Sequence, residues 1–372
     1  MALTRNPPRR VIKVGTSLLR GQPDRSTAAV IMDLATAVAR AQRTGERLAL
    51  VTSGAVGLGC TALGLQARPT DLASLQAAAA VGQGRLMALY QEAFAVRGLT
   101  VAQVLLTRAD MASRRSYRRA CLTLEQLLAW NVVPIINEND TVATEELRFG
   151  DNDTLSALLA VALGAEELVL LTDVDRLYSA DPRTDAEAVP IAEVSDPSDL
   201  ERLQAAAGGG GQWGTGGMTT KLTAARIATA SGIRVRLADG RDPAVLEALL
   251  AGATVGTVFQ PSATPLPDRK GWLAHALVPS GNLVVDGGAE QALRHQGASL
   301  LAVGIKAVEG RFDRCAPVRL MSLDGREIGR GLCRWSSDEV RAILGLGREE
   351  IRRRLGEDGG AVVHRDHLVL AA

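Results

Sequence analysis

Short apolar runs recur along the first two thirds of the chain, and each is closed by a polar or glycine-rich turn. Val11-Ile12-Lys13-Val14, Leu48-Ala49-Leu50-Val51, residues 101–106, Val132-Val133-Pro134-Ile135-Ile136, Leu168-Val169-Leu170-Leu171 and residues 234–237 read as strands. Between them, residues 27–42, 72–96, 155–163, 219–230 and 243–250 carry helical spacing. Strands alternating with helices predict an α/β fold with a mostly parallel sheet covered on both faces. Residues 177–182 read as a loop. Gly82 and Gly84 interrupt the Ala-rich helix at a cost of about 1 kcal/mol each relative to Ala, and so suggest the close approach of another backbone.

The pattern changes after residues 261–267, which hold three prolines and read as a linker. Short alternating segments follow at 282–285, 300–303, 317–320 and 327–331, separated by glycines, as in a small β-rich domain. Residues 337–344 and 348–355 are helix candidates. The expected division is a first domain over 1–260, a linker over 261–278 and a second domain over 279–372.

Composition narrows the class. The 372 residues are 47% hydrophobic and 22% charged, which suits packed cores rather than disorder. A formal net charge of +1 gives no electrostatic case for nucleic acid or an acidic membrane surface. Cys60, Cys121, Cys315 and Cys333 form no Cys-x-x-Cys pair, so they read as free thiols in a reducing compartment. Residues 1–10 are too polar for a signal peptide, and no apolar stretch is long enough to span a bilayer, which predicts a cytoplasmic protein.

Candidate chemistry gathers where strands end. Residues 137–153 follow an apolar strand with two clusters of Asn and Asp. Amides and carboxylates of that kind can clasp a small polar ligand or a cation, while the plain alternative is a solvated turn. Gly15-Thr16-Ser17 and Thr52-Ser53-Gly54 close two early strands. They offer either backbone cradles for anions, with the N–H groups near Gly15 open to close approach, or simple tight turns. Residues 208–217 are glycine-rich and lead into a helix with Lys221 in its first turn, a position that opposes the helix dipole and that a bound phosphate would favour. The segment is not a Gly-x-x-x-x-Gly-Lys-Ser/Thr loop, and no strand carries a Gly-x-Gly-x-x-Gly turn. Lysines with Asp140, Asp153 and Asp173 suit phosphoryl transfer. His275, His295, His364 and His367 all lie beyond residues 261–267, so the first domain lacks a histidine base. An already ionised carboxylate acceptor needs none, which favours an acyl-phosphate product. His364-x-x-His367 reads as a surface pair. Arg114-Arg115 and Arg118-Arg119 read as a solvated face, or alternatively as an effector or subunit contact.

Together these segments carry a resemblance. Val11-Ile12-Lys13-Val14-Gly15-Thr16-Ser17, Val51-Thr52-Ser53-Gly54-Ala55, Ile136-Asn137-Glu138-Asn139-Asp140, Phe149-Gly150-Asp151-Asn152-Asp153, Leu171-Thr172-Asp173 and Gly214-Thr215-Gly216-Gly217-Met218-Thr219-Thr220-Lys221 occur in this order. The set resembles the glutamate 5-kinase branch of the amino acid kinase family. The resemblance implies an αβα sandwich and ATP-dependent phosphorylation of the L-glutamate side-chain carboxylate to L-glutamate 5-phosphate. That is the first step of proline synthesis, with Mg²⁺ required, feedback inhibition by L-proline and assembly into dimers or tetramers. It assigns Lys13 to ATP phosphate, and Ser53, Asp140 and Asn152 to glutamate. Thr172, Asp173 and Thr215, Gly216, Gly217, Met218, Thr219, Thr220 and Lys221 fall to ATP. Lys221 also stabilises the moving phosphoryl group, and Asp153 aligns the two lysines; the metal ligands stay unassigned. Ser299-Leu300-Leu301-Ala302-Val303-Gly304-Ile305, Val308-Glu309-Gly310-Arg311-Phe312 and Gly329-Arg330-Gly331-Leu332 resemble a PUA domain, except that Cys315-Ala316 stands where that pattern has a Gly-acidic pair. PUA domains elsewhere bind RNA. Here 14 Lys plus Arg against 13 Asp plus Glu from Ser280 onward give no strong phosphate-binding surface, so RNA is not an expected partner and a structural or regulatory appendage is preferred. The alternatives are an RNA-binding or RNA-modifying protein and a same-fold kinase for another carboxylate.

Overall fold

A computed structural model of the chain describes residues 7–20, 25–107, 110–111, 113–143, 152–183, 185–196, 199–200, 202–203, 217–265, 279–356 and 360–371. Its contacts divide into two units, Met1–Leu266 and Pro267–Ala372. No helix among the described residues is long and apolar enough to cross a membrane.

In the first unit the apolar runs form β1 (Arg9–Val14), β2 (Arg47–Val51), β3 (Val101–Leu106), β4 (Val133–Glu138), β5 (Glu167–Thr172), β6 (Leu177–Tyr178), β7 (Pro190–Ile191), β8 (Glu193–Val194), β9 (Arg234–Asp239) and β10 (Thr257–Phe259). Eight of them make one sheet in the order β3-β4-β2-β1-β5-β9-β10-β8, parallel except where β10 runs against β9. Every residue of β5 and the last four of β1 are buried, as expected of central strands covered on both faces. The loop expected over 177–182 holds one exception: Leu177 and Tyr178 pair with β7 in a two-stranded ribbon.

The helices are α1 (Thr16–Leu19), α2 (Thr27–Arg43), α3 (Ala55–Ala62), α4 (Leu72–Ala95), α5 (Arg114–Ala129), α6 (Asn152–Ala162), α7 (Gly217–Ala230) and α8 (Pro243–Leu250). Ser26 caps α2 by accepting from the Ala29 N–H, and the helix buries Val30, Ile31, Leu34 and Val38. Side chains of α2, α4 and α8 share one core with β1, β2 and β4, whereas α6 and α7 pack together and reach β1, β5 and β9.

Gly82 does mark a close backbone approach. A Cβ there would lie 1.8 Å from the Ala55 carbonyl oxygen, and a Cβ on Gly59 would lie 1.8 Å from the Ala78 carbonyl oxygen. Helices α3 and α4 therefore touch backbone to backbone, through a small residue and a glycine four positions apart on each. Gly84 has open space around its Cβ position and takes no part.

At the amino end of the sheet, the Glu167 carboxylate lies between Arg10 Nε at 3.2 Å and Arg236 Nε at 2.7 Å, and Arg10 also reaches Glu46 at 2.8 Å. Burial raises the Glu46 pKa and the second carboxylate, Glu167, adds to that, with Arg10 opposing.

The second unit is a five-stranded sheet in the order β12-β11-β13-β14-β15, from β11 (Gly281–Val285), β12 (Ile305–Gly310), β13 (Pro317–Met321), β14 (Glu327–Cys333) and β15 (Val363–Leu370). It carries α9 (Gly287–Gln296), α10 (Ser337–Ala342) and α11 (Arg348–Leu355). Leu283, Val318, Leu320, Ile328, Trp335 and Val363 lie in its core. The expected strand at 300–303 is instead a single bridge from Leu300 to Val363 and a 3₁₀ turn over Ala302–Gly304. Leu301 and Val303 stay exposed, so the apolar run does not fill one face.

Cys315 has φ 63°, in the left-handed region. Its N–H donates to the Cys333 carbonyl at 2.7 Å, and the Cys333 N–H donates to the Ala316 carbonyl at 2.9 Å. Two residues thus oppose one, in a bulge whose first position ordinarily belongs to glycine. The departure from the PUA pattern leaves the turn intact and places an exposed thiol in a strained conformation.

Candidate active site

Strands β1 and β5 are neighbours whose chain connections leave in opposite directions, which opens a crevice beyond their carboxyl ends. Lys13, next to last in β1, points into it and is only 4% exposed. Asp153, second in α6, is 1% exposed. Lys13 Nζ lies 2.5 Å from Asp153 Oδ1, and Lys221 Nζ lies 3.2 Å from Oδ2. Thr220 Oγ1 donates to the same Oδ2 at 3.0 Å. Two lysines some two hundred residues apart in sequence thus meet on one carboxylate. Burial pushes the Asp153 carboxyl up, but Lys13 and Lys221 together outweigh it and hold the group below the usual carboxylate range.

Two expectations about anions change here. Helix α7 is described from Gly217, so Lys221 is its fifth residue and stands beyond the first turn, with its ammonium paired to Asp153. The Gly15 N–H is not open to an anion: it donates to the Leu171 carbonyl at 3.0 Å and ties β1 to β5. A Cβ on Gly15 would stand 2.9 Å from that same oxygen.

Beside the lysines lies a chain of hydrogen-bonded amides. The Asn152 Nδ2 group faces the Thr52 carbonyl at 2.8 Å, Asn137 Oδ1 at 2.9 Å and Ser53 Oγ at 3.0 Å. Asn137 Nδ2 donates to Gln83 Oε1 at 2.8 Å. The Thr52 hydroxyl meets the buried Tyr90 hydroxyl at 2.9 Å, which fixes the end of β2. Asp140 is half-buried in the turn after β4, and Gln76 of α4 holds that turn through the Ala143 carbonyl at 3.0 Å.

On the other side of β1, Thr172 is buried at the end of β5 and donates to Asp173 Oδ1 at 3.2 Å, while Asp173 is exposed at the mouth. Gly217 is exposed and Met218, Thr219 and Thr220 are half-buried at the start of α7. Thr215, Gly216, Gly150 and Asp151 lie outside the described residues, as does most of the expected linker. Arg115, Arg118 and Arg119 are exposed on α5. The rings of His364 and His367 stand 6.1 Å apart on β15, and no three metal-binding groups converge among the described residues. Sequence reasoning missed Gln83 and the Thr52 carbonyl, and gave Asn137 no role. Asn137 stood inside the polar stretch, whereas nothing in the Ala-rich helix singled out Gln83.

A switch-point crevice holding two lysines on one buried carboxylate, with a chain of hydrogen-bonded amides alongside, suits a phosphotransferase. The amino acid kinase family profile matches residues 8–239 and the PUA domain profile matches residues 281–355. The chain is 60% identical over 360 residues to the glutamate 5-kinase of Synechococcus sp. (strain CC9902), covering 97% of this chain and 98% of that one. It is 58% identical over 361 residues to the glutamate 5-kinase of Prochlorococcus marinus (strain MIT 9313), with the same coverage. The glutamate 5-kinase of Synechococcus elongatus (strain ATCC 33912 / PCC 7942 / FACHB-805) shares 51% over 363 residues. The chain belongs to the amino acid kinase family.

Proposed function

We propose that this chain is a glutamate 5-kinase, which transfers the γ-phosphoryl group of ATP to the side-chain carboxylate of L-glutamate and so opens proline synthesis. The observation that carries the reading is the pair of lysines held on Asp153 at the switch point. A glutamate carboxylate oxygen attacks the γ-phosphorus, the bond to the β,γ-bridging oxygen breaks, and ADP leaves with that electron pair. No proton has to be removed from the acceptor, which agrees with the absence of a histidine before position 275. Lys13 and Lys221 supply positive charge to the equatorial phosphoryl oxygens, the task on which phosphoryl-transfer catalysis chiefly rests. Asp153 sets their spacing. Ser53, Asn152 and Asp140 hold glutamate; Thr172, Asp173 and the 215–221 segment hold the nucleotide.

Magnesium belongs with the nucleotide. Both oxygens of Asp153 are paired with the lysines, and Mg²⁺ on a nucleotide binds substrate phosphates and waters together with one or two carboxylates, for which Asp173 at the mouth would be available. The cation would supply charge neutralisation on the triphosphate.

The first unit is the catalytic domain in this reading, and the PUA domain is a structural or regulatory appendage. Inhibition by proline, a homo-oligomeric state and a cytoplasmic location complete the proposal. The test is ATP-dependent trapping of the acyl phosphate with hydroxylamine, using glutamate, aspartate and acetylglutamate with and without proline. A hydroxamate signal specific to glutamate is expected; a signal with aspartate or acetylglutamate instead rejects the substrate assignment.

A further inference from the structure

The polarity of the amide chain is set by backbone groups whose roles cannot be exchanged. The Glu138 N–H donates to Asn137 Oδ1 at 2.9 Å, so this oxygen is an acceptor. Asn137 must therefore present its Nδ2 to Gln83, whose Oε1 accepts. The Thr52 carbonyl accepts only, so Asn152 turns its Nδ2 inward. Two atoms are left over at the ends of the chain, Gln83 Nε2 and Asn152 Oδ1. Both are buried, and neither has a hydrogen-bond partner among the described residues. Burying an amide group unpaired costs about 1–3 kcal/mol, so a matched pair of this kind points to a ligand that satisfies both.

We propose that Gln83 is a substrate-binding residue, whose Nε2 donates to the α-carboxylate of the amino-acid substrate while Asn152 Oδ1 accepts from its ammonium group. The inference rests on the glutamate-kinase reading and deepens it. One buried donor and one buried acceptor complement the zwitterionic head of an α-amino acid. The direction along the site follows from the sheet. Lys13 stands on β1, Ser53 follows β2, Asn137 stands on β4, and Gln83 reaches in from α4 beyond them. Two strand spacings, about 10 Å, separate the lysine end from the Asn137 end. A γ-carboxylate placed at Lys13 and Asp153 therefore leaves the α-carbon end on the Gln83 side. Gln83 lies one residue after Gly82, where α4 is locked against α3, so its amide is carried on a rigid stretch of helix.

The experiment compares L-glutamate with L-isoglutamine, its α-carboxamide analogue with the γ-carboxylate intact, on the full-length chain. In Gln83→Glu one carboxylate oxygen still accepts from Asn137, while the other replaces the donor with an acceptor. It repels the α-carboxylate of glutamate and accepts from the amide of isoglutamine. The KM for glutamate rises about 10–100-fold, the size of a charge-assisted hydrogen bond, with the KM for Mg·ATP within about twofold. The ratio of kcat/KM shifts at least about tenfold toward isoglutamine, about 1.4 kcal/mol. Gln83→Met, which keeps the length and loses the donor, raises the glutamate KM with no gain for isoglutamine. Equal losses for both substrates in Gln83→Glu, or an unchanged glutamate KM in both variants, would overturn the assignment. Failure of the wild-type chain to phosphorylate glutamate overturns the kinase reading, and this inference with it.

Discussion

Asp153 carries two positive partners in a buried setting, and its replacement should show in two separate ways. Asp153→Asn leaves Lys13 and Lys221 facing each other without their anion, which should cost about 3–5 kcal/mol of stability at neutral pH. The native pKa lies below the ordinary value of 3.8, so the stabilisation is complete above that value and is lost as pH falls through the lower native one. Urea midpoints of wild type and variant should differ by a constant amount from pH 7 to 5 and converge only below about 3.8. Convergence already between pH 7 and 5 would show that another group sets the difference. For Lys221→Ala, loss of one donor to the transition state should lower kcat by about 10²–10³, and an unchanged kcat would remove Lys221 from the mechanism. At this scale the sequence shows which residue types stand at strand ends, but their meeting is a property of the fold. Lys13 and Lys221 became legible as a pair only through the ordered set of motifs. Gln83 stayed hidden because its role depends on Asn137, a residue on a different element.

The contact of α3 with α4 admits no side chain, and this sets apart two glycines that look alike in the sequence. Gly82→Ala should destabilise the first unit by about 3 kcal/mol, because the added methyl meets the backbone of Ala55 rather than a movable side chain. Gly84→Ala has open space and should gain up to about 1 kcal/mol in helix propensity. Equal thermal shifts for the two variants would contradict this account. In the second unit Cys315→Gly relieves a left-handed conformation worth about 1–2 kcal/mol and costs about 0.5–1 in unfolded-chain entropy, so a net gain of up to about 1.5 kcal/mol is expected from chemical unfolding. A loss of stability would mean the thiol makes a compensating contact. Strands β1 to β5 and β9 were legible from their apolar runs, whereas β6, β7, β8 and β10, only two or three residues long, were not. Helix α9 and strand β15 were not: only Leu293 is buried in the former, and His364, Arg365 and Asp366 are exposed in the middle of the latter.

For the molecule as a whole, the split into two units means that ligand binding should stabilise them unequally. Mg·ATP at 100 times its Kd should add about 2.7 kcal/mol to the first unit, read by hydrogen exchange at β1 and β5. Exchange at β13 and β14 should not change by a comparable amount; equal protection in both units would show that they unfold together. The change in pattern after the prolines reflects a difference between the sheets, since a mostly parallel sheet covered on both faces and a mixed sheet with exposed strand positions impose different periodicities.

The eight-stranded sheet carries an acid between two bases at each of its ends. At one end Glu167 is gripped by Arg10 and Arg236, whose planar forks fix direction as well as charge. At the other end Asp153 holds two ammonium groups, which are point charges on flexible stems and can exchange one oxygen for another. In the reading proposed above, the first arrangement is a fastening and the second a jig: one carboxylate keeps two mobile charges side by side, so the positive pole of the crevice is assembled before any triphosphate enters.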